Sequence, residues 1–495
     1  MNRRSSWRRG PVVLAGVMAL ALGGFAFACG SDNGDQPKCE GAACEDGGAP
    51  EGSTQDGPVE QDGNPPTDGG TDGDADSSVV ISCADAGEPG TLDPAFGDGG
   101  IVWLKYPASG AHAVAVQSDG KIVVGGFTGG SGGKFAIARL LPSGALDTSF
   151  GSGGLVERQV GTVNSDIRAL AVLPDGRILA TGATREPATH FTFTTVRVLA
   201  DGGADTTFGT GGLVVTSIPG RDAYASSIAV QPDGKFLVGG SSEDAFNPEG
   251  TADFEVVRYA SNGDPDALFG SGGRATVDVA GTRDEPGVIA IAGGGSILVA
   301  GGSSATLDDP IRVNLAVARL NSAGALDGTF GIGGRFVTNF GGRQRAYAVA
   351  IDPSGRPILG GMNGTAADFG VYRLTGAGAL DTTFGDGGAT SDDFGATFDA
   401  VQGLFPEESG KIVAIGSSSA GFGTGSIAAA RFLPNGALDP VFGTAGKSVT
   451  PPAANTDLKA AAAARTKCGY VAVGEWNYDN NTITKSAFGI AVYRR

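Results

Sequence analysis

Histidine is almost missing from this chain: His112 and His190 are the only two in 495 residues. Imidazole-based metal sites and histidine proton relays therefore have little to draw on. Three Trp and three Met make no aromatic or thioether scaffold. Basic side chains are outnumbered, 35 Lys and Arg against 53 Asp and Glu. A net charge of −18 argues against a phosphate backbone, and so against nucleic acid, as partner. No Walker loop, no strand-to-helix nucleophile elbow and no Cys-x-x-Cys pair occurs. The reading is of no catalytic residues, no cofactor and no metal. What is abundant is glycine, 86 residues, with no Gly-X-Y triplet to suggest collagen.

The N-terminus carries an address. Arg3, Arg4, Arg8 and Arg9 precede an apolar or small-residue run from Val12 to Ala28. A charged start followed by an apolar run reads as a signal peptide over residues 1–28. The segment Ala26-Phe27-Ala28-Cys29-Gly30 resembles a bacterial lipobox, with Ala26 where Leu is usual. The resemblance implies lipidation of Cys29 and a place in the cell envelope, at the outer membrane or cell surface. The lipid would be the only membrane contact. Residues 30–78 hold 13 acidic side chains against Lys38, with no aromatic, Leu, Ile or Met. Such a segment buries too little apolar surface to offset its ordering entropy, so 29–82 reads as a disordered acidic tether. Asp72, Asp74 and Asp76 begin like a calcium loop, but Cys83 stands where the closing Glu belongs.

From Leu92 a motif recurs: Leu-Asp-x-x-Phe-Gly, with its Asp at 93, 147, 205, 266, 327, 381 and 439. The spacings are 54, 58, 61, 61, 54 and 58, and 56 residues follow the last Asp. Seven units are predicted, with repeats starting near 92, 146, 204, 265, 326, 380 and 438. Within the first, Ile101–Tyr106, Ala113–Gln117, Lys121–Gly125 and Phe135–Leu140 are short β-branched runs of strand type. Ser118-Asp119-Gly120 is a hairpin signal between the second and third. The Ala-rich stretch Lys459–Arg465 falls at a strand position and is assigned as strand.

Four strands in each of seven units predict an all-β fold: a seven-bladed β-propeller of four-stranded antiparallel blades over residues 83–495. Ring closure is suggested by seven arginines. Arg139, Arg197, Arg258, Arg319, Arg373 and Arg431 each precede a motif Asp by eight residues. Arg494 lacks a following Asp, and Asp93 lacks a preceding Arg. Closing the ring would pair them. The strand Ile101–Tyr106 could equally complete the last blade. The Leu-Asp-x-x-Phe-Gly and Asp-Gly-Lys-Ile-x-Val-x-Gly motifs resemble the bacterial delta-60 repeat β-propeller family, over about 92–495. That resemblance implies the fold and no defined enzymatic activity.

If Cys29 carries lipid, four cysteines remain, and an exported chain can oxidise them. Cys39 and Cys44 are expected to close a small loop, and Cys83 and Cys468 to staple the ring. The Asp and Arg series reads as repeated ion pairs or turn caps, because a catalytic site should break symmetry. Function is expected on the face with variable loops. Its candidates are Arg221, Asp222, Arg283, Asp284, Arg343, Arg345, Tyr478 and Asp479. His112 and His190 are assigned to loops, with no cluster assembled around either. The expected role is a monomeric binding scaffold for an unidentified protein or glycan. A carboxylate-dependent hydrolase or lyase at the channel mouth is the alternative.

Overall fold

The structure, a computed structural model, describes residues 87–130, 133–161, 163–185, 190–245, 251–280, 283–304, 313–420, 425–451, 457–477 and 486–495. Apart from a 3-10 turn at Gly293–Gly295, every described element is a β-strand. Gly110–Val116, Ile122–Thr128, Lys134–Leu140 and Leu155–Arg158 form the first antiparallel four-stranded group. The Asp-Gly hairpin signal works as expected: Asp119 Oδ1 accepts from the Lys121 amide at 3.1 Å, and Gly120 takes a φ of 86°. The same meander repeats along the chain. The groups that begin at Arg221 and Arg283 share one eight-stranded sheet, through the single parallel bridge Ala252↔Arg283.

The last group supplies only three strands of its own: Asp457–Arg465, Gly469–Asn477 and Ser486–Arg494. Its fourth is Ile101–Leu104, with Ile101 opposite Ala491 and Leu104 opposite Phe488. This strand therefore closes the last group and does not open the first. The first strands of the groups also touch in a cycle. They are Gly110–Val116, Val163–Val172, Arg221–Val230, Arg283–Ile291, Arg345–Ile351, Phe398–Pro406 and Asp457–Arg465, and the last contacts the first. These are the inner strands.

The core lies between neighbouring groups. Ala113, Val123, Ile137 and Phe150 of one group pack with Ile167, Leu170, Ile178 and Val196 of the next. The junction that closes the cycle is built alike, with Val114 and Val124 against Val471, Phe488 and Ile490. Each such Val, Leu, Ile or Phe side chain contributes about 1.5–3 kcal/mol by burial. Among the described residues no helix is long and apolar enough to cross a membrane.

Candidate functional site at the inner strands

Where each third strand turns into a fourth, one arrangement recurs. Asp147 Oδ1 accepts the Ser149 amide at 3.1 Å and its hydroxyl at 2.6 Å. Asp147 Oδ2 lies 2.8 Å from Arg139 Nε and 3.3 Å from Lys121 Nζ. The Arg139 guanidinium stands 4.4 Å from the Phe150 ring centroid and donates to the Ala200 carbonyl of the next group. Arg197–Asp205, Arg258–Asp266, Arg319–Asp327, Arg373–Asp381 and Arg431–Asp439 repeat the ion pair at 2.7–2.9 Å. Arg494 reaches Asp93 at 3.7 Å. Burial opposes ionisation of Asp147, but the Ser149 bonds and the Arg139 charge outweigh it and hold the carboxyl down at about 2. The second cation was not foreseen from sequence. Lys121, Arg177, Lys235, Arg356 and Lys411 follow the hairpin glycines and reach the motif Asp at 2.8–3.3 Å. The motif lysine is thus tied to the motif aspartate.

The opposite end of the inner strands is built differently. Each inner strand carries a register shift. The residues skipped are His112, Arg168, Ser226, Pro286 with Gly287, Tyr347, Gln402 and Ala461. A bulge bends a strand and re-aims a side chain. The last motif glycine makes room for it: a Cβ on Gly361 would lie 1.7 Å from the Arg345 carbonyl oxygen. The backbone device is common to all the inner strands, whereas the side chains presented there differ.

His112 lies in an inner strand, not in a loop, and is 3% exposed. The loop assignment failed because small neighbours, Ala111 and Ala113, hid the strand. Its Nδ1 donates to Asp166 at 2.9 Å, across to the next inner strand. Arg168 Nε meets the same carboxylate at 2.7 Å. Burial opposes ionisation of Asp166, but Arg168 and His112 pull its pKa below the usual carboxylate range. His112 Nε2 is buried without a partner. Glu475 stands close by, and burial pushes its pKa up, partly offset by the His112 charge.

The predicted loop residues are mostly engaged in the fold. Arg221 pairs with Asp253 at 2.7 Å, and Arg283 with Glu243 at 2.8 Å. Asp222 accepts the Phe191 amide at 2.7 Å, and Asp284 the Val279 amide at 2.6 Å. Arg345 is buried, pairs with Glu285 and lies 4.9 Å from the Tyr347 ring centroid. Its Nε and Nη2 have no partner. Arg343 contributes its charge near Tyr347. Tyr478, Asp479, Cys29, Cys39, Cys44 and Cys83 lie outside the described residues. Cys468 lies in the turn before Gly469–Asn477, and its pairing with Cys83 stays a proposal.

Three segments, 117–150, 231–269 and 408–442, match the model of the family described as "Domain of unknown function (DUF5122) beta-propeller". The fold is a β-propeller. Three solved structures are similar to the chain at low identity. A protein of unknown function from Dyadobacter fermentans is 10% identical, covers 83% of this chain and 99% of its own, with a TM-score of 0.44. A putative oxidoreductase (glucose dehydrogenase) from Thermus thermophilus is 13% identical over 74% and 98%, with a TM-score of 0.35. A subtype N10 neuraminidase-like protein of a little yellow-shouldered bat influenza A virus is 9% identical over 79% and 98%, with a TM-score of 0.37. No curated protein sequence matches the chain. A fold does not fix a function, so function has to be argued from this chain's own side chains.

Proposed function

We propose that the chain is a cell-envelope lipoprotein of the delta-60 repeat kind. Its seven-bladed propeller binds a protein or glycan at the end where the inner strands begin. One contrast carries the reading: the Arg–Asp–Phe arrangement is the same from blade to blade, while the bulge positions at the other end hold His112, Arg168, Ser226, Tyr347 and Gln402. Symmetric residues hold a scaffold; residues that break the symmetry can discriminate a ligand. Lipidation at Cys29, the tether over 29–82 and closure by Cys83–Cys468 rest on the sequence, and palmitate labelling lost in Cys29→Ala tests the first.

The binding test is a pull-down from solubilised envelope together with a glycan array. The bait is the full chain beside a variant carrying Arg168→Ala, Tyr347→Ala and Gln402→Ala. A partner retained by the wild type and lost by the variant is expected. A partner that binds both equally would move the site elsewhere. The enzyme reading is favoured by one observation. His112 Nδ1 is held by Asp166 while its Nε2 has no hydrogen-bond partner, and Glu475, whose pKa burial raises, stands close by. A base and an acid so placed suit hydrolysis or elimination, and turnover abolished by His112→Ala would establish that reading over the first.

A further inference from the structure

The seam that closes the ring carries a set of ionisable groups drawn from three blades. Gly110–Val116 of the first blade packs on Val163–Val172 of the second and on Asp457–Arg465 and Gly469–Asn477 of the last. His112 lies in the first of these strands, and its Nδ1 stands 2.9 Å from both oxygens of Asp166. Arg168 Nε meets that carboxylate at 2.7 Å, so the charges of Asp166 and Arg168 cancel. Two groups are left over: His112 Nε2, buried without a partner, and the half-buried Glu475. A Cβ on Gly110, two residues before His112, would lie 3.5 Å from Glu475 Cγ and 2.7 Å from Phe127 Cε1. The Phe127 ring centroid in turn stands 5.6 Å from that of His112. The other charged groups at this end of the packed strands are Asp457 and Lys459. Lys459 is opposite Glu475 in the register and pairs with Asp457 at 3.2 Å. Ile122–Thr128, beside His112 in its own blade, carries no charged residue.

Neither state of a lone imidazole suits this place. Neutral His112, with its proton on Nδ1, buries a lone pair at Nε2; charged His112 buries an N–H there. An unpartnered polar group costs stability in either case. Glu475 can answer both, donating to the lone pair as an acid or accepting the N–H as a carboxylate. Each arrangement contains one proton. With it, the charges of Asp166, Arg168, His112 and Glu475 sum to zero; without it, the seam holds a net negative charge away from water. Burial pushes the Glu475 pKa up, and the Asp166 and Asp457 charges add to this against those of His112 and Arg168.

We propose that His112 and Glu475 hold one proton between them, and that this proton fastens the last blade to the first. The seam then loosens as pH rises. A carboxyl raised in the fold stabilises most fully below its unfolded value of about 4.3, and that contribution is lost as pH climbs through the folded value. The inference concerns closure of the ring and holds whether or not the site turns over a substrate.

The test uses the full chain carrying isotope-labelled histidine, beside Glu475→Gln, a neutral side chain of the same shape that can still donate to Nε2. Only two histidines give imidazole signals, and His190→Gln assigns them. The His112 signals are expected to change with pH, and to do so at lower pH in Glu475→Gln, where the partner charge is gone. Wild-type Tm should fall from about pH 5 to about pH 8 while that of Glu475→Gln stays level. The two curves should meet at the acid end and part by about 2 °C or more at the other. His112 signals that are identical in the two proteins at every pH would overturn the shared proton. Parallel Tm curves would overturn its part in closure. Hydrogen exchange in the wild type alone gives a reading that needs no variant. Over the same range, Gly110–Val116 and Gly469–Asn477 should lose protection relative to Arg345–Ile351, which lies away from the seam. An equal change in all three strands would overturn the proposal.

Discussion

Asp147 gathers more partners than a turn carboxylate needs: two bonds from Ser149, the Arg139 guanidinium and the Lys121 ammonium. The set couples a turn to a blade and, through Arg139, to the next blade. Arg373 in the same role is buried, and its loss leaves the Asp381 carboxylate with Arg356 as its one cation beside the Thr383 bonds. Arg373→Met should therefore cost about 3 kcal/mol or more. Arg494→Met, at the looser 3.7 Å pair, should cost about 1 kcal/mol or less. Urea unfolding of the two variants decides between these outcomes. The lowered carboxyls also set a pH limb. Asp147, Asp205, Asp381 and Asp439 have folded pKa values below their unfolded ones. Their contribution is complete above the ordinary carboxylate range of about 4 and is lost as pH falls through the folded values. Tm should then decline from about pH 4 toward pH 2, and Asp147→Asn should lower Tm at neutral pH while flattening that decline.

At the scale of the strand, most of the architecture was legible. The Asp-Gly hairpins, the β-branched runs and the spacing of the Asp series follow from local chemistry, and Lys459–Arg465 lies within the strand Asp457–Arg465 despite its alanines. The bulges were not legible, because a bulge leaves no residue type of its own; it appears only in the register against the partner strand. The nearest trace is the last motif glycine. Gly361→Ala would put a methyl 1.7 Å from the Arg345 carbonyl oxygen, and should cost about 3–5 kcal/mol or prevent folding. Gly376→Ala, with nothing within 4 Å, should change stability by about 0.5 kcal/mol at most. Thermal melts of both give the comparison. The pairing of His112 with Asp166, 54 residues away, was not legible, because only the fold brings them together.

At the scale of the molecule, the last blade holds both ends of the described chain, since Ile101–Leu104 completes the sheet of Ser486–Arg494. Replacing residues 101–104 by Gly and Ser should expose that edge, and a bare edge pairs with other chains. Dimers and larger species in light scattering are the expected result; a monomer of unchanged Tm would show the strand to be dispensable. The arrangement also orders events in time. Ile101 leaves the ribosome about 390 residues before its partner Ala491. The intervening blades can pair locally as they appear, but the strand Ile101–Leu104 has no seat until Ser486–Arg494 is synthesised. The closing sheet is thus withheld until that late strand has been made.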